Sequence, residues 1–538
     1  LLTMSGDATM TGNATFGAGN DTMTLAGTAA YTGAVDFGGG SDTLTIGGTS
    51  TFAGTLANAS GLAVTVNGGK FTNTGTTPVS IGSLAVTGGG TLGVTVNTTT
   101  NTATQYNVAG TASLDANSKL AIKLTGLVTG TGHYTILTAG TVTGASNLTT
   151  SAVSLPYMYK TSIATGGPAN QIAIDIAAKT ASELGLNRSG SAAYGAIYAA
   201  LSQDSKVANS FLNITDGTAF QTAIRQMLPD HAGGTFAAVS AGSRAIGRML
   251  TDGGAPYVDK GHWGYWLEEV AYGGSKSFLN TASYDINGWG TSGGAEYKTK
   301  LGNFGLSLAY LHGNDNDNGT DNTVSSDQYE VAAYWRGDWS GLRPFARVSA
   351  ARVNFASERS FNGNDGTSTA VALSNSSKWN GKMLSATGGA SYEGAVGHLT
   401  FRPILSVDYY RLDEDAHTET GGGKAFDLSI AKRTSDEFAA NATMAVGLTF
   451  GSTEDGWFHT EIEAGRRQIL GGELGSTTAS FAGGQAFTLI PDQRTDGWVG
   501  RFRASGGSPG FRIGGEVGAE EQQSRAAISL RATLQIGL

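Results

Sequence analysis

The sequence predicts an all-β fold with a helical linker, in which an N-terminal β-solenoid precedes a 12-stranded antiparallel transmembrane β-barrel. Three observations carry this prediction. The N-terminal part repeats with a period near 21 residues, and the second half alternates apolar and polar side chains over strands of ten or more residues. Short and long connections also alternate between those strands.

The composition excludes several classes of protein. The chain has 538 residues, 81 Gly and no Cys, and only 14% of its residues are charged. Without Cys, there is no disulfide scaffold, thiol nucleophile or Cys-based zinc site. A formal charge of −9 without a basic run argues against nucleic-acid binding, and no apolar run is long enough for a transmembrane helix. Because the chain begins mid-pattern at Leu1, we interpret it as the C-terminal fragment or mature portion of a longer protein.

Residues 1–178 differ from the rest of the chain, since they hold ten charges and lack Arg, Glu and Trp. A period near 20 residues with β-forming residues and Gly turns is typical of a β-solenoid, whose rungs bury their side chains against neighbouring rungs. The repeat relates two sets of residues that lie 21 apart: Phe16, Asp21, Leu25, Gly27, Thr28, Tyr31 and Gly33, then Phe37, Asp42, Ile46, Gly48, Thr49, Phe52 and Gly54.

A partial calcium motif lies in the repeat at Gly38-Gly39-Gly40-Ser41-Asp42. The calcium-binding form needs tandem nine-residue spacing, whereas the Asp residues here are 21 apart. We therefore interpret these residues as turns that cap the rungs, and expect no metal and no cofactor.

Residues 179–260 read as a helical linker with three helices. The apolar spacing predicts helices over Ala181–Leu201, with Ser182 as a possible N-cap, over Phe220–Leu228 and over Ala232–Leu250. Eleven of the nineteen residues in the third helix are Gly, Ala or Ser, so it is thin and needs support from outside.

Residues 261–538 read as the barrel. In the last strand, apolar Leu530, Leu534, Ile536 and Leu538 alternate with polar residues, and we expect this terminal strand to be needed for insertion. The turns are near 300–302, 338–341, 394–397, 452–456 and 506–509. The long loops are near 275–282, 313–323, 358–377, 412–433 and 469–493, with a shorter one near 521–524. Eleven connections make twelve strands.

A barrel of this size has room for one helix. If the solenoid lies outside the cell, the chain must cross the barrel to begin the first strand, and Ala232–Leu250 directly precedes that strand. We predict that it is a pore helix, with small Gly234, Ala238 and Gly242. Its charged residues Arg244 and Arg248 would face lumenal carboxylates such as Glu330, Glu461 and Glu463. The alternative is a periplasmic or surface helix with two solvated Arg.

The order of solenoid, helical linker and twelve-stranded barrel resembles the monomeric autotransporters of Gram-negative outer membranes (type V secretion). Residues 106–124 and 132–144 are similar to the segment that ends many passenger β-helices and assists passenger folding, and Phe220–Pro229 resembles the linker before the barrel. The resemblance implies a right-handed parallel β-helix passenger and insertion helped by the barrel assembly machinery and periplasmic chaperones. The family usually ends in Phe or Trp, whereas this chain ends in Leu538.

The resemblance implies an outer-membrane translocator that displays its own passenger on the cell surface for adhesion or aggregation. The alternative is a passive outer-membrane channel or porin with a plug segment. We expect a monomer in outer-membrane lipid, an unidentified surface ligand, no nucleic acid and no enzyme activity. Gly506–Gly510 matches a hydrolase elbow motif but reads as a turn. Self-cleavage by Glu461 and Glu463 stays open as a minor alternative.

Overall fold

The computed structural model describes residues 1–149, 153–164, 167–252, 261–366, 370–452 and 454–538. The chain divides into two compact units. One comprises Leu1–Gly185, Ser205–Gln221 and Gly363–Val371, and the other comprises Leu186–Asp204, Thr222–Asn362 and Ala372–Leu538. The predicted boundaries at residues 178 and 260 stay predictions, and residues 253–260 lie outside the described part.

The first unit is built from short strands. They are β1 (Leu2–Met4), β2 (Thr9–Thr11), β3 (Ala14–Thr15), β4 (Thr22–Leu25), β5 (Ala30–Thr32), β6 (Val35–Asp36), β7 (Thr43–Gly47), β8 (Thr51–Gly54), β9 (Leu56–Ala57), β10 (Ala63–Asn67), β11 (Lys70–Asn73), β12 (Val79–Ile81), β13 (Ser83–Thr87), β14 (Thr91–Asn97), β15 (Thr102–Ala103), β16 (Tyr106–Leu114), β17 (Lys119–Leu124), β18 (Gly132–Thr143), β19 (Val153–Ser154), β20 (Tyr159–Ile163) and β21 (Gln171–Ala178).

These strands stack as a parallel β-helix, which confirms the predicted solenoid. Met23 pairs with Leu2 and with Leu44, each 21 residues away. One sheet runs β1-β4-β7-β10-β13-β16-β18-β21-β20, a second runs β19-β17-β14-β11-β8-β5-β2, and a third holds β3-β6-β9. The stack ends in antiparallel pairing of β21 with β18 and with β20.

An aromatic ladder fills the interior of the β-helix. The rings of Tyr31 and Phe52 stack at 5.4 Å, and the ladder continues through Phe71 to Tyr106, all four of which are fully buried. The 21-residue repeat therefore places like residues in contact, because equivalent positions of successive rungs lie one strand spacing apart.

Some repeat glycines are required because backbones approach closely between rungs. A Cβ on Gly54 would lie 1.8 Å from the carbonyl oxygen of Gly33. In contrast, a Cβ on Gly19 would meet no atom within 4 Å. The glycine repeat thus marks contact positions at some turns and only open turns at others.

Four α-helices follow the β-helix strands and precede the barrel strands in the order of the chain. They are α1 (Arg188–Leu201), α2 (Ser205–Leu212), α3 (Gly217–Gln226) and α4 (Gly234–Gly247), and short 3-10 helices cover Ala145–Asn147 and Arg248–Thr251.

The predicted start of the first helix at Ala181 was wrong. Gly185 has a φ of 65°, in the left-handed region, so the predicted helix cannot run through it. The helix begins after Asn187, the N-cap, whose side chain accepts from the Gly190 N–H at 2.9 Å. Helix α2 was not predicted, since its eight residues are too few for a clear apolar period.

The second unit contains long strands and the hairpins that connect them. They are β22 (Trp263–Lys276), β23 (Tyr284–Thr299), β24 (Gly302–Asn316), β25 (Thr323–Arg336), β26 (Leu342–Asn364), β27 (Ala370–Tyr392), β28 (Gly394–Val396), β29 (Leu399–Glu414), β30 (His417–Thr418), β31 (Leu428–Ile430), β32 (Arg433–Ser452), β33 (Gly456–Gly471), β34 (Thr477–Phe481), β35 (Phe487–Leu489), β36 (Gly497–Ser508), β37 (Phe511–Gln522) and β38 (Arg525–Gly537).

Twelve of these strands close into an antiparallel barrel, as predicted. The order is β22-β23-β24-β25-β26-β27-β29-β32-β33-β36-β37-β38, and closure comes from pairing of β38 with β22. The predicted loop over 358–377 was wrong in extent, because β26 and β27 continue into it, each with 23 residues. Residues 367–369 of that loop lie outside the described part. The 412–433 and 469–493 loops carry a small sheet, β30-β31-β34-β35.

Side chains alternate across the barrel wall. On β38, Ile528, Leu530 and Ile536 are exposed on the outer face, whereas Ser529 and Arg531 point inward and are buried. This is the pattern of a barrel with an apolar outer band in lipid and a polar lumen. Among the described residues, no helix is long and apolar enough to span a membrane.

We predict that Gly54→Ala weakens the β-helix locally, by about 1–3 kcal/mol, because the new methyl group must displace the backbone of the preceding rung. Hydrogen exchange of the amides around residues 30–57 should become faster. The matched control is Gly19→Ala, which should leave this exchange unchanged. Equal exchange in both variants would contradict the close approach between rungs.

Candidate functional site: the helix within the barrel

Helix α4 lies inside the barrel. All of its 14 residues except Ala241 and Gly247 are buried. On one side, Ala238 and Ile246 pack in a cluster with residues of β22, β23 and β24. On another, Phe236 and Val239 pack in a cluster with residues of β25, β26, β27 and β29. Because strands around the barrel contact one helix, it occupies the lumen.

The small residues of α4 allow this fit. A Cβ on Gly242 would lie 2.9 Å from the Tyr272 hydroxyl, and one on Gly234 would lie 1.9 Å from an Asp315 carboxylate oxygen. Ala238 adjoins the barrel wall at Gly313. A Cβ added to Gly313 would lie 3.6 Å from the Cβ of Ala238. Larger side chains at these positions would require the wall to move.

The helix runs from the long-loop end of the barrel to the short-turn end. Near its start, Thr235 Oγ1 accepts from Arg433 at 2.7 Å, and Arg433 begins β32 directly after a long loop. After its end, the Thr251 carbonyl accepts from Arg402, which lies near the short turn that precedes β29. At about 1.5 Å per residue, the α-helix alone covers about 21 Å.

Both helix arginines meet lumenal carboxylates. Arg244 lies 3.7 Å from Glu437 and 3.8 Å from Glu520. Arg248 donates to Glu516 at 2.8 Å and to Ser529 at 2.7 Å. The two arginines therefore connect the helix to β32, β37 and β38.

The carboxylates that meet Arg244 and Arg248 are not Glu461 and Glu463, two of the examples that the sequence suggested. Glu461 accepts from Arg402 and Arg503, both at 2.6 Å. Glu463 pairs with Arg501 at 2.6 Å and with Arg503 at 2.7 Å. The barrel supplies these cations itself, since Glu461 and Arg503 are directly opposite each other in the β33–β36 register, as are Glu463 and Arg501.

Glu330, the third predicted partner, does touch the helix, but through a hydroxyl. It accepts from Ser243 of α4, and its other oxygen pairs with Arg347 of the neighbouring strand. Gln328 also donates to Glu330, at 2.9 Å. Nothing in the sequence distinguishes Ser243 from the other small residues of the helix, so its hydrogen bond to Glu330 was not predicted.

Glu516 is a central acceptor of the lumen. It pairs with Arg248 of the helix at 2.8 Å, Arg503 at 2.5 Å and Arg531 at 3.4 Å, and it is 4% exposed. Arg531 also pairs with Asp252, just beyond the helix. A buried carboxylate that compensates several cations is costly to remove, because the cations are then left without a partner.

A second polar cluster holds the chain where it enters the barrel. Arg433 pairs with Glu414 at 2.7 Å and with Asp230 at 2.8 Å. Arg359 pairs with Glu419 at 2.6 Å and donates to the Leu228 carbonyl at 3.2 Å. Sequence reasoning missed this cluster, because its members come from the linker and from four distant strands and loops.

His231 lies in the same entry segment, outside the helix. Its Nδ1 is 2.7 Å from the Pro229 carbonyl, and its burial lowers the pKa of the imidazole. His231 is therefore neutral near pH 7, and protonation at lower pH would place a cation in a buried position.

The terminal strand closes the barrel. The Leu538 N–H donates to the Trp263 carbonyl at 2.8 Å, and Ile536 pairs with Tyr265. Ile536 and Leu538 are exposed on the outside, and Leu534, two residues before Ile536, is half-buried. These residues complete both the hydrogen-bonded wall and its apolar outer face.

The lumen around the helix arginines is filled. The cavity beside Arg244 and Arg248 measures about 20 Å³, which is room for about one water molecule. Among the described residues, the helix and the side chains around it leave little free space beside these two arginines. The hydrolase-like residues Gly506–Gly510 lie in the hairpin between β36 and β37, without the strand–turn–helix context that the motif requires.

Comparisons with known proteins bear on this barrel. Residues 269–517 match the family model of the autotransporter beta-domain. No curated protein matches the chain. Among solved structures, the chain is similar to the translocator domain of autotransporter NalP from Neisseria meningitidis, with 16% identity over 57% of this chain and 99% of that one and a TM-score of 0.40. It is also similar to the transport unit of the autotransporter AIDA-I from Escherichia coli, with 14% identity over 58% and 100% and a TM-score of 0.32.

We predict that Glu516→Gln destabilises the barrel by about 3–5 kcal/mol, because Arg248, Arg503 and Arg531 lose a shared buried anion. The temperature at which the folded band is lost in semi-native electrophoresis should fall. The control is Glu269→Gln, the same substitution at an exposed residue on the outer face of β22. Unfolding of Glu516→Gln at the wild-type temperature would contradict the central role of this carboxylate.

We also predict that deletion of residues 234–251 raises single-channel conductance in planar bilayers, because the helix fills the lumen. Gly247→Ala is the control that keeps the helix, since a Cβ there meets only Arg347 Cδ, at 4.0 Å. Unchanged conductance in the deletion variant would mean that other groups block the lumen.

Proposed function

We propose that the C-terminal barrel of this chain is an autotransporter β-domain of the Gram-negative outer membrane, and that it exports and displays the chain's own N-terminal β-helix on the cell surface. The barrel is an outer-membrane translocator. Its passenger is the parallel β-helix, which we propose to serve in adhesion or aggregation.

The path of α4 carries this proposal. The helix begins at the long-loop end of the barrel and leads toward the short-turn end, where the first barrel strand begins at Trp263. In outer-membrane barrels, long loops face the outside and short turns face the periplasm. Everything N-terminal to the helix then leaves the barrel on the outer side, as a displayed passenger requires.

The β-helix supports export by its own folding. Each rung buries its aromatic and aliphatic residues against the preceding rung, so folding can proceed rung by rung as the chain emerges. Residues 106–144, which complete the aromatic ladder at Tyr106, are the segment that we propose to begin this folding. The few charges of residues 1–178 also limit the cost of moving the unfolded chain through a confined lumen.

The filled lumen argues against the alternative function, a passive outer-membrane channel. The space beside Arg244 and Arg248 holds about one water, and the helix arginines are paired on several strands. We propose that the barrel works as a monomer in outer-membrane lipid, inserted with the barrel assembly machinery and periplasmic chaperones, and that the helix remains as a plug after export.

Protease accessibility on intact cells tests the proposal. Epitope tags at Thr76 of the β-helix and at Lys424 of the 412–433 loop should both be removed by added protease, while a barrel-sized core survives. A tag in the short turn at 394–397 is the control and should be protected. Protection of the Thr76 tag until the outer membrane is breached would overturn surface display.

A further inference from the structure

The β-helix unit carries a cleft on the outer face of its second sheet. The cleft has a volume of about 550 Å³, within the range of ligand sites, which is about 300–1,000 Å³. Strands β11, β14 and β17 form its floor, and α2 and residues 154–156 form part of its walls. We propose that this cleft binds an acidic polysaccharide, a chain of sugars that carry carboxylates; the proposal rests on the proposed display of this unit at the cell surface.

Positive charge is concentrated at this cleft. Residues 1–178 contain four Lys, and two of them, Lys70 and Lys123, line the cleft with exposed side chains. Neither has an ion-pair partner among the described residues. Asp365 is the one acidic residue in the described lining. An anionic ligand would therefore find two ammonium groups that have no ion-pair partner among the described residues, and a single carboxylate in the described lining.

The floor of the cleft is low because its residues are small. Thr72, Gly93 and Ala121 lie side by side on three neighbouring strands. A Cβ on Gly93 would lie 2.1 Å from Thr72 Oγ1, so the floor cannot carry a larger residue there. The small residues between the bordering lysines leave a shallow depression in which a sugar ring can lie.

The walls offer neutral hydrogen-bonding groups rather than aromatic faces. Asn209, Asn213, Thr125 and Thr215 line the cleft, and amide and hydroxyl groups both donate to and accept from sugar hydroxyls. No aromatic residue is in the lining that the structure describes. Single-stranded nucleic acid is bound largely by stacking on aromatic side chains, so this composition favours a saccharide.

The spacing of the lysines favours a chain of sugars over a single one. Lys70 is in register with Thr91, and Lys123 with Thr95, on the strand between them. Two strand spacings and four residues along the strand separate the two Cα atoms by roughly 16 Å. A ligand that contacts both ammonium groups must therefore be longer than one sugar ring.

Calorimetric titration of the full chain in detergent micelles tests this site. The probe is trigalacturonic acid, and its fully methyl-esterified form is the uncharged control of the same shape. We expect binding of the acid and at least tenfold weaker binding of the ester. Raising the salt from about 0.15 M to about 1 M should weaken binding of the acid, because the Debye length falls from about 8 Å to about 3 Å.

The variants locate the site. Lys70→Gln and Lys123→Gln should each weaken binding of the acid about tenfold. Lys119→Gln is the matched control, because Lys119 lies on the same strand and face as Lys123 but outside the cleft lining, and it should bind as the wild type does. Circular dichroism of all three variants should match the wild type.

Several outcomes would overturn the proposal. These are absence of binding by the acid, equal binding of acid and ester, an equal loss in Lys119→Gln, or tighter binding of a single-stranded DNA of equal charge that depends on the same lysines. Protease treatment of cells that express the wild-type chain with the Thr76 tag separates the two hypotheses. An accessible tag with no binding of the acid by the purified wild-type protein rejects only the glycan site. A protected tag with binding by the purified protein rejects only the display.

Discussion

The structure depends on how the barrel compensates charge in its lumen. Arg244 of α4, Arg248 of the 3-10 helix that follows it and several barrel arginines share a limited set of buried carboxylates, and Glu516 contacts three of these arginines. Removing water from these groups is unfavourable unless each one is paired. The helix therefore does more than fill space, because Arg248 supplies part of the charge that Glu516 requires, and the lumen in turn holds a Gly-rich helix that would be weak by itself.

The two units pair the backbone groups of their strands in different ways. The barrel joins its last strand to its first, so no edge meets lipid, where an unpaired backbone group would be costly. The β-helix stacks rungs through parallel pairing and aromatic contacts. The composition of each unit follows from its architecture. The barrel has an apolar residue at every second position where its wall faces lipid, and the β-helix has Gly, Thr and aromatic residues where one rung lies on the next.

The proposed export and display agree with the distribution of charge along the chain. Residues 1–178 are poor in ionisable groups, which suits passage through a narrow polar lumen, and two of their four lysines line the cleft. The lysines at the cleft are exposed and unpaired within the described residues, whereas the lumenal arginines are buried and paired. Cations thus have a proposed binding role in one unit and a stabilising role in the other.

The sequence by itself determined the strand count, the rung period and the thin third helix, because period-two alternation, the 21-residue repeat and a run of small residues are local patterns. It did not determine which carboxylate meets which arginine. Alternation gives the face on which Glu461 or Arg503 lies, but the cross-strand register and the depth of α4 decide the partners, and these arise only when the barrel closes. The extent of β26 and β27, the start of α1 at Arg188 and the Arg433 cluster were also decided by tertiary contacts between segments that are distant in sequence.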